Sequence, residues 1–177
     1  GARLNVQVHA DLSAQNLFRK LCAWFVLREA DSIRVVSERV KKQVEVYAVT
    51  ASITVLPIFI EQNQFRNVVR TPDPRPFILW VGRFEKEKNP FEALSVLKEV
   101  QEKVPSVKMV MLGTGSLEGA LRTRSRGLPV EFPGWSRVVP FLARAHVVLS
   151  TSRAESFGAS VVEARLAGVP VVSLDVG

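Results

Sequence analysis

Cysteine and histidine, the commonest zinc ligands, are scarce in this sequence. The 177-residue chain has one cysteine, Cys22, and two histidines, His9 and His146. One thiol cannot form an internal disulfide, and a structural zinc site needs about four cysteine or histidine ligands. The sequence therefore predicts no disulfide framework and no metal site.

Long apolar runs are missing too. No stretch reaches about eighteen apolar residues, which is the length that a membrane-spanning helix needs. The first residues, GARLNVQVHADLS, lack the basic, apolar and small-residue regions of a secretory signal. The predicted location is therefore cytoplasmic.

Acidic residues are outnumbered by basic ones. There are 17 Asp and Glu residues against 24 Lys and Arg, so the formal net charge is +7 and anionic partners are favoured. Five arginines cluster between Arg122 and Arg144, where the simplest interpretation is a solvated basic face. Base stacking on nucleic acid needs interleaved aromatic residues, and Trp135 and Phe141 are too few. Nucleic acid is therefore not an expected partner, whereas peripheral contact with an anionic membrane at its inner face is expected.

Short apolar runs alternate with longer amphipathic stretches, a pattern typical of a parallel sheet covered by helices. The polar, proline-rich stretch 61–76 interrupts this pattern and is interpreted as an interdomain linker. Residues 1–60 are predicted to be the tail of a Rossmann-like N-terminal domain. Residues 77–177 are predicted to form a doubly wound α/β domain, truncated at its end, with the order βαβαβαβαβ.

Local patterns predict two helix caps and several packing residues. Ser37 is placed to cap a helix over 38–46, and Asn89 a helix over 90–104, with Glu92 completing a capping box. Other conspicuous side chains are interpreted as packing residues rather than ligands. Core or interdomain positions are predicted for Cys22, Trp24, Phe25, Trp80 and His146.

Candidate site residues follow the predicted strands, because ligands of open parallel sheets bind beyond the carboxyl ends of the strands. The loop GRFEKEKNP carries Arg83 and Lys88 beside a helix start, a pair of cations that suits a diphosphate. An ordinary charged loop, in which Glu85 and Glu87 pair with these cations, explains the same residues equally well. The glycines of the next loop, GTGS, either cradle phosphate or form a tight turn.

The segment SRAESFGASVVEARLAGVPVV carries two glutamates eight residues apart. Unpaired backbone amides at Phe157, Gly158 and Ala159 would face an anion at a helix N-terminus. Glu155 either accepts hydrogen bonds from ligand hydroxyls or complements the helix dipole. Glu163 lies in an apolar stretch of helix, where it would bind two ribose hydroxyls, pair with an arginine such as Arg165, or face solvent.

This segment closely resembles the E-x7-E element of retaining glycosyltransferases with the GT-B fold (group 1, family 4). LWVGRFEKEKNP resembles the diphosphate loop of that family, VMLGTGSLEGALR its second strand, and VEFPGW the turn near the nucleotide base. ADSIRVVSERVKKQV and ITVLPIFI are similar to the end of its N-terminal domain, and VQVHADLS to the histidine-bearing loop of that domain. The resemblance covers nearly the whole chain. It implies two Rossmann-like domains, with the acceptor bound mainly by the N-terminal one.

The resemblance implies transfer of a sugar, with retention, from a nucleotide-sugar donor to a glycan, lipid or small-molecule acceptor, as in polysaccharide biosynthesis. Arg83 and Lys88 would stabilise the departing nucleoside diphosphate, Glu155 would bind the donor sugar, and His9 would face the cleft. The residues implied to bind the donor are Arg83, Lys88, Glu155, Phe157, Gly158, Ala159 and Glu163. Glu163 would hold the ribose.

No metal or other cofactor is implied, and the donor would be linked to GDP, UDP or ADP. Asn89 departs from the glycine that many members have after the lysine. Because the first part of one domain and the end of the other are lacking, the printed chain is expected to be inactive by itself. Two alternatives stay open: another GT-B enzyme such as a sugar-nucleotide epimerase, and a non-catalytic basic module that binds nucleotides or nucleic acid.

Overall fold

The computed structural model describes residues 3–9, 12, 15–47 and 49–176. The chain divides into two units, each built on one parallel sheet. The first unit holds the part of the chain up to Phe59 together with Ala154–Gly158, and the second holds Ile60–Arg153 and Ala159–Val176. The domain boundaries predicted from the sequence stay predictions.

The first unit has a three-stranded sheet in the order β1-β2-β3. Its elements are β1 (Asn5–Val8), α1 (Leu17–Arg28), β2 (Ser32–Val35), α2 (Glu38–Glu45) and β3 (Ser52–Val55). Each helix crosses between parallel neighbours, the βαβ connection that parallel strands require. Helix α2 buries Val40 and Val44, which lie one turn apart on the side facing the sheet. The Ser37 hydroxyl accepts a hydrogen bond from the Val40 amide at 3.3 Å, so the predicted cap is confirmed.

The second unit has a five-stranded parallel sheet in the order β6-β5-β4-β7-β8. Its elements in chain order are α3 (Asn63–Arg66), β4 (Phe77–Val81), a 3₁₀ helix (Lys86–Lys88), α4 (Pro90–Lys103), β5 (Lys108–Leu112), α5 (Glu118–Arg124), β6 (Val130–Gly134), α6 (Val139–Arg144), β7 (Val147–Ser150), α7 (Ala159–Leu166) and β8 (Val171–Ser173). The strand order reverses between β4 and β7. In open parallel sheets ligands bind beyond the carboxyl ends of the strands at such a reversal, so a ligand is expected beyond the carboxyl ends of β4 and β7.

The central strands of this sheet are apolar on both faces because helices cover both sides. Successive side chains point to opposite faces. Leu79 and Val110 belong to one apolar cluster, whereas Trp80 and Met111 belong to the other. Trp80 is 2% exposed, which confirms its predicted core position. Helix α3, which lies within the predicted linker, contributes the buried Phe65 to the first of these clusters.

A buried ion cluster joins the segment before β4 to this sheet. The Asp73 carboxylate accepts hydrogen bonds from the Lys108 ammonium at 2.8 Å and from the Arg144 guanidinium. Asp73 and Lys108 are both buried. The hydrogen bond from Lys108, with those from the Arg75 amide and Arg144, holds the pKa of Asp73 well below its usual range. The carboxylate form is therefore favoured in the folded protein.

This cluster makes acid stability depend on Asp73. The pKa of Asp73 is lowered on folding. The contribution of this carboxylate to the unfolding free energy is therefore complete above the unfolded pKa of about 4 and is lost as the pH falls below that value. We expect Asp73→Asn to flatten the decline of unfolding free energy below about pH 4. The variant also loses stability at pH 7, because Lys108 keeps a buried charge without its counterion. Urea titrations at several pH values measure both effects. Asp175→Asn, at an exposed acid, is the control, and an unchanged acid decline in Asp73→Asn would contradict the expectation.

The capping box predicted at Asn89 is wrong. Asn89 adopts the left-handed conformation (φ 48°, ψ 52°), and its side chain makes no cap hydrogen bond. Its carbonyl instead accepts the Glu92 amide at 3.1 Å. Asn89 lies directly between the 3₁₀ helix and α4 and is the C-cap of the first and the N-cap of the second. Its left-handed backbone therefore differs from the extended conformation that a side-chain N-cap adopts.

The core position predicted for His146 is wrong, and so is the core alternative for Cys22, Trp24 and Phe25. Their other alternative, an interdomain position, stays a prediction. Cys22 is exposed, Trp24 is 37% exposed and Phe25 is 58% exposed, because α1 turns another side to its sheet. His146 is exposed too, and its Nδ1 accepts the Phe77 amide at 3.2 Å. The exposed imidazole thus accepts a hydrogen bond from the backbone amide at the start of β4.

Candidate functional site

The second unit has a cavity of about 260 Å³ at the carboxyl ends of β4, β5 and β6. Three strand-to-helix connections contribute its walls, and the cavity lies on the β5 and β6 side of the reversal between β4 and β7. The residues that line it are Val81, Gly82, Arg83, Leu112, Gly113, Thr114, Trp135 and Ser136.

The glycines of the GTGS loop let two connections pack backbone against backbone. Gly113 has φ 137°, and a Cβ there would lie 1.9 Å from the carbonyl oxygen of Gly82. A Cβ on Gly115 would lie 2.6 Å from the Phe84 carbonyl oxygen. The Phe84 amide donates to the Thr114 carbonyl at 2.9 Å, which fixes the two loops together. Close approach of the two loops therefore requires both glycines, and the tight-turn and phosphate-cradle interpretations stay predictions.

Arg83 lies on the wall of this cavity. Its guanidinium is 2.7 Å from the Glu87 carboxylate, and its side chain is 71% exposed. An ion pair this exposed contributes little to stability, so an anionic ligand could replace Glu87 at small cost. Glu85 has a different partner: its carboxylate accepts the amide and hydroxyl of Ser116 at 2.8 and 2.7 Å. These two hydrogen bonds lower the pKa of Glu85.

A buried hydrogen-bond relay positions the backbone of Lys88. The Thr151 hydroxyl accepts the Trp80 indole N–H at 2.9 Å. The same hydroxyl donates toward two carbonyl oxygens, that of Lys88 at 3.1 Å and that of Asn89 at 3.0 Å. Strand β4, the residue after β7 and the 3₁₀ helix are thereby linked. The relay holds the lysine-bearing loop beside the carboxyl end of β7, and Lys88 is not among the residues that line the cavity.

Glu163 lies in the middle of α7 with a half-buried side chain. Burial raises the pKa of its carboxyl group. Among the described residues no side chain forms a hydrogen bond or ion pair with this carboxylate, and the neighbouring Arg165 is exposed. Of the three interpretations offered by the sequence, pairing with Arg165 and full solvent exposure are therefore not realised. A half-buried carboxylate without a protein partner would be stabilised by hydrogen bonds that a ligand donates to it.

The rest of the E-x7-E element precedes α7. Glu155 and Phe157 are half-buried, and both belong to Ala154–Gly158, the segment grouped with the first unit. Gly158 has φ 72°, a conformation that favours glycine, directly before Ala159 begins the helix. The roles expected of these residues stay predictions.

His9 follows β1 in the first unit and is exposed. Its Nε2 lies 3.2 Å from the side-chain oxygen of Gln7. The imidazole borders a separate cavity of about 250 Å³, whose walls come from β1, the following segment and α1. Its expected role toward the donor or acceptor stays a prediction.

Two polar cavity residues, Thr114 and Ser136, were not singled out from the sequence, and Trp135 entered only as part of VEFPGW, the segment similar to the turn near the nucleotide base. Thr114 and Ser136 are common loop residues with no distinctive spacing. Trp135 is 84% exposed and follows Gly134, whose φ of 76° ends β6. A register shift between β5 and β6 brings this turn beside the GTGS loop.

Two absences hold for the part of the chain that the structure describes. No group of three or more metal-ligating side chains occurs in residues 3–9, 12, 15–47 and 49–176. Within the same residues, no helix has the length and apolar character needed to cross a bilayer.

Comparisons with known proteins agree with this architecture. A family model described as "Glycosyl transferases group 1" matches residues 61–177. The chain is 28% identical over 165 residues to a glycogen synthase of Mycobacterium tuberculosis, an alignment that covers 88% of this chain and 40% of that protein. It is 29% identical over 107 residues to the 2-deoxystreptamine N-acetyl-D-glucosaminyltransferase of Niallia circulans, covering 56% of this chain and 28% of that protein.

The solved structure of the pneumococcal O-GlcNAc transferase GtfA in complex with UDP and GlcNAc matches with a TM-score of 0.82 at 21% identity. The match covers 99% of this chain and 38% of that chain. The predicted Rossmann-like α/β fold of the GT-B type is confirmed. The chain spans less than half the length of the relatives described here.

Proposed function

Because the chain belongs to the family of glycosyl transferases group 1, we propose that it is part of an enzyme that transfers a sugar from a nucleotide-sugar donor to an acceptor. One observation carries this proposal: a cavity at the carboxyl ends of three parallel strands is bordered by an exposed arginine. The family resemblance inferred from the sequence motifs is confirmed by the family match. No observation favours the epimerase or the non-catalytic binding module.

The donor diphosphate would bind at Arg83 and Lys88. The exposed pair with Glu87 exchanges readily for an anion, and a guanidinium can hold two phosphate oxygens at once. As the bond from sugar to phosphate breaks, negative charge grows on the departing nucleoside diphosphate. Cations positioned beforehand stabilise that charge, and this is commonly the largest contribution to catalysis.

The base would lie in the cavity beside Trp135, and the ribose would extend from it to Glu163, which is not one of the residues that line the cavity. The cavity volume of about 260 Å³ suits part of a nucleotide rather than a whole one. The half-buried Glu163 carboxylate has no partner among the described residues and would accept two ribose hydroxyls. The base would be that of GDP, UDP or ADP.

Glu155 would bind hydroxyls of the donor sugar, and the amides of Phe157, Gly158 and Ala159 would support the donor phosphate. His9 would contact the sugar or the acceptor. We further propose that transfer retains the anomeric configuration and needs no metal, because the cations and helix amides named here can carry the diphosphate charge. The net charge of +7 supports a second partner, the inner face of an anionic membrane.

The donor assignment is tested by calorimetry of UDP, GDP and ADP with the intact gene product. We expect one of them to bind, and Glu163→Gln to weaken that binding by about 10- to 100-fold, since hydrogen bonds to a charged group contribute about 1.5–3 kcal/mol. The same variant, without ligand at pH 7, should melt at an equal or higher temperature. The reason is that burial disfavours the charged form that glutamine replaces.

Opposite effects on affinity and stability distinguish a binding role for Glu163 from a structural one. Glu99→Gln, at an exposed position of α4, is the matched control and should change neither quantity. A Glu163→Gln protein that melts lower but binds with normal affinity would overturn the ribose assignment. Incubation of the intact gene product with the bound nucleotide's sugar conjugates, followed by product analysis, then identifies the sugar, the acceptor and the anomer.

A further inference from the structure

One buried hydroxyl joins three parts of the second unit. Thr151, directly after β7, is 2% exposed, and its oxygen accepts the Trp80 indole N–H at 2.9 Å. Its single proton is directed at the carbonyl oxygens of Lys88 and Asn89. Because the indole occupies an acceptor position of the hydroxyl, this proton is left to the backbone of the lysine-bearing turn. Buried hydrogen bonds of this kind hold their partners in one arrangement.

The turn that carries Lys88 is too short to be stable by itself. The 3₁₀ helix Lys86–Lys88 is a single turn, and helices of this length are marginal in water. The segment after β7 supports it, since the Arg153 amide donates to the Glu87 carbonyl at 2.9 Å. Together with the two hydrogen bonds from Thr151, three successive carbonyls are held by that segment.

We propose that Thr151 is a positioning residue for Lys88. Acting through the main chain, its hydroxyl keeps the Lys88 backbone beside the carboxyl ends of β4 and β7, where the strand order reverses and a ligand is expected. The lysine ammonium would then meet the donor diphosphate without a prior rearrangement of the turn, so less ordering entropy is lost on binding. This inference rests on the proposed function, in which Lys88 binds the diphosphate.

A purely structural role for the hydroxyl predicts a different result. If Thr151 only satisfied buried polar groups, its loss would lower the melting temperature and leave ligand affinity unchanged. Lys86 helps to distinguish the two roles, because it is exposed and lies in the same turn, two residues before Lys88 and on another side of that turn. Removal of its charge should therefore matter little to a diphosphate bound at Lys88.

The test is calorimetry of the intact gene product with UDP, GDP or ADP, whichever binds, at a temperature where every variant is folded. Thr151→Val keeps the branched shape of the side chain and removes the hydroxyl, and it should weaken binding by about tenfold. Thr151→Ser keeps the hydroxyl and should bind like the wild type. The matched control is Thr123→Val, which removes an exposed hydroxyl that donates to the Gly119 carbonyl at 3.1 Å and should leave the affinity unchanged.

Double substitutions show whether the hydroxyl acts through Lys88. In a Lys88→Ala background, Thr151→Val should weaken binding no further, because the ammonium that the hydroxyl positions is already gone. In an Arg83→Ala background, the same change should still weaken binding by about tenfold. Lys86→Ala removes a charge from the same turn and should bind like the wild type, so it controls for Lys88→Ala.

Three results overturn the inference. They are normal affinity of Thr151→Val, equal losses in the Lys88→Ala and Arg83→Ala backgrounds, and a loss in Thr151→Ser as large as that in Thr151→Val. If Thr151→Val does not fold, Trp80→Phe replaces it in the same comparison, since it removes the indole N–H that orients the hydroxyl. Its loss of affinity should likewise vanish in the Lys88→Ala background, and a loss that persists there overturns the inference.

The wild type distinguishes failure of this inference from failure of the proposed function. A wild type that binds none of the three nucleoside diphosphates overturns the proposed function and this inference with it. A wild type that binds one of them, with any of the contrary results for the Thr151 or Trp80 variants, overturns the inference alone.

Discussion

Replacing Arg83 with alanine in the intact gene product is expected to lower kcat/KM by about 30- to 1,000-fold, or about 2–4 kcal/mol of transition-state stabilisation. The guanidinium lies at the edge of the cavity, and its exposed pair with Glu87 provides little stability to lose. The variant should therefore fold normally. Steady-state kinetics with the donor that binds, together with a melting curve, measure both quantities.

The matched control for this prediction is Arg126→Ala, at an exposed arginine outside the cavity. It removes the same charge, so any general effect of lowering the net charge of +7 appears in both variants. Arg83→Lys should recover only part of the loss, because an ammonium cannot bind two phosphate oxygens as a guanidinium does. Near-normal turnover of Arg83→Ala would remove Arg83 from the catalytic residues.

The substitution Gly113→Ala is expected to cost about 3 kcal/mol or more of unfolding free energy. Its Cβ would lie 1.9 Å from the Gly82 carbonyl oxygen, and its φ of 137° disfavours any L side chain. Both effects act on the contact between the loops after β4 and β5. Urea unfolding of the variant measures the loss, and nucleoside diphosphate affinity should fall with it because these loops form the cavity wall.

The control for Gly113→Ala is Gly119→Ala in α5, where a Cβ meets nothing within 4 Å. Alanine is the better helix former, so this change should stabilise by about 0.5–1 kcal/mol. The two alanine substitutions, six residues apart, are thus expected to change the unfolding free energy in opposite directions. That result would show that Gly113 is required for close packing and that the region is not sensitive to every substitution. Equal, small effects at both positions would contradict the backbone contact.

The order of strands and helices could be predicted because it depends on local pattern. Central strands such as β4 are apolar on both faces, and the helices between them repeat apolar residues at helical spacing. The Ser37 cap was predictable for the same reason, since donor and acceptor lie three residues apart. Asn89 behaved differently because Thr151, 62 residues away, binds the carbonyl of Asn89. No local pattern contains that contact.

The face of α1 was misjudged because apolarity alone does not say which side of a helix packs. Trp24 and Phe25 were assigned to core or interdomain positions, yet the helix turns Ala23 and Leu27 inward. The three cations of α1 fall on different sides of the helix, so they define no single polar side by which to orient it.

Of the candidate site, the sequence predicted Arg83 and left its partner open. The structure pairs Arg83 with Glu87, one of the two acids proposed, and gives the other, Glu85, to Ser116. Thr114 and Ser136 could not be predicted, because their place in the cavity depends on how three loops meet after the sheet has formed.

The strand order of the second sheet also determines when the sheet can form during synthesis. The chain completes β5 about 31 residues after β4, counted from the paired positions Ile78 and Met109, whereas the partner of Ile78 on the other side is Val147. One half of the sheet can thus assemble on the ribosome while the other edge of β4 waits for its neighbour. Until residue 147 emerges, that edge of β4 is unpaired and open to pairing with other nascent chains, so we expect the yield of folded protein to depend on translation speed through this interval.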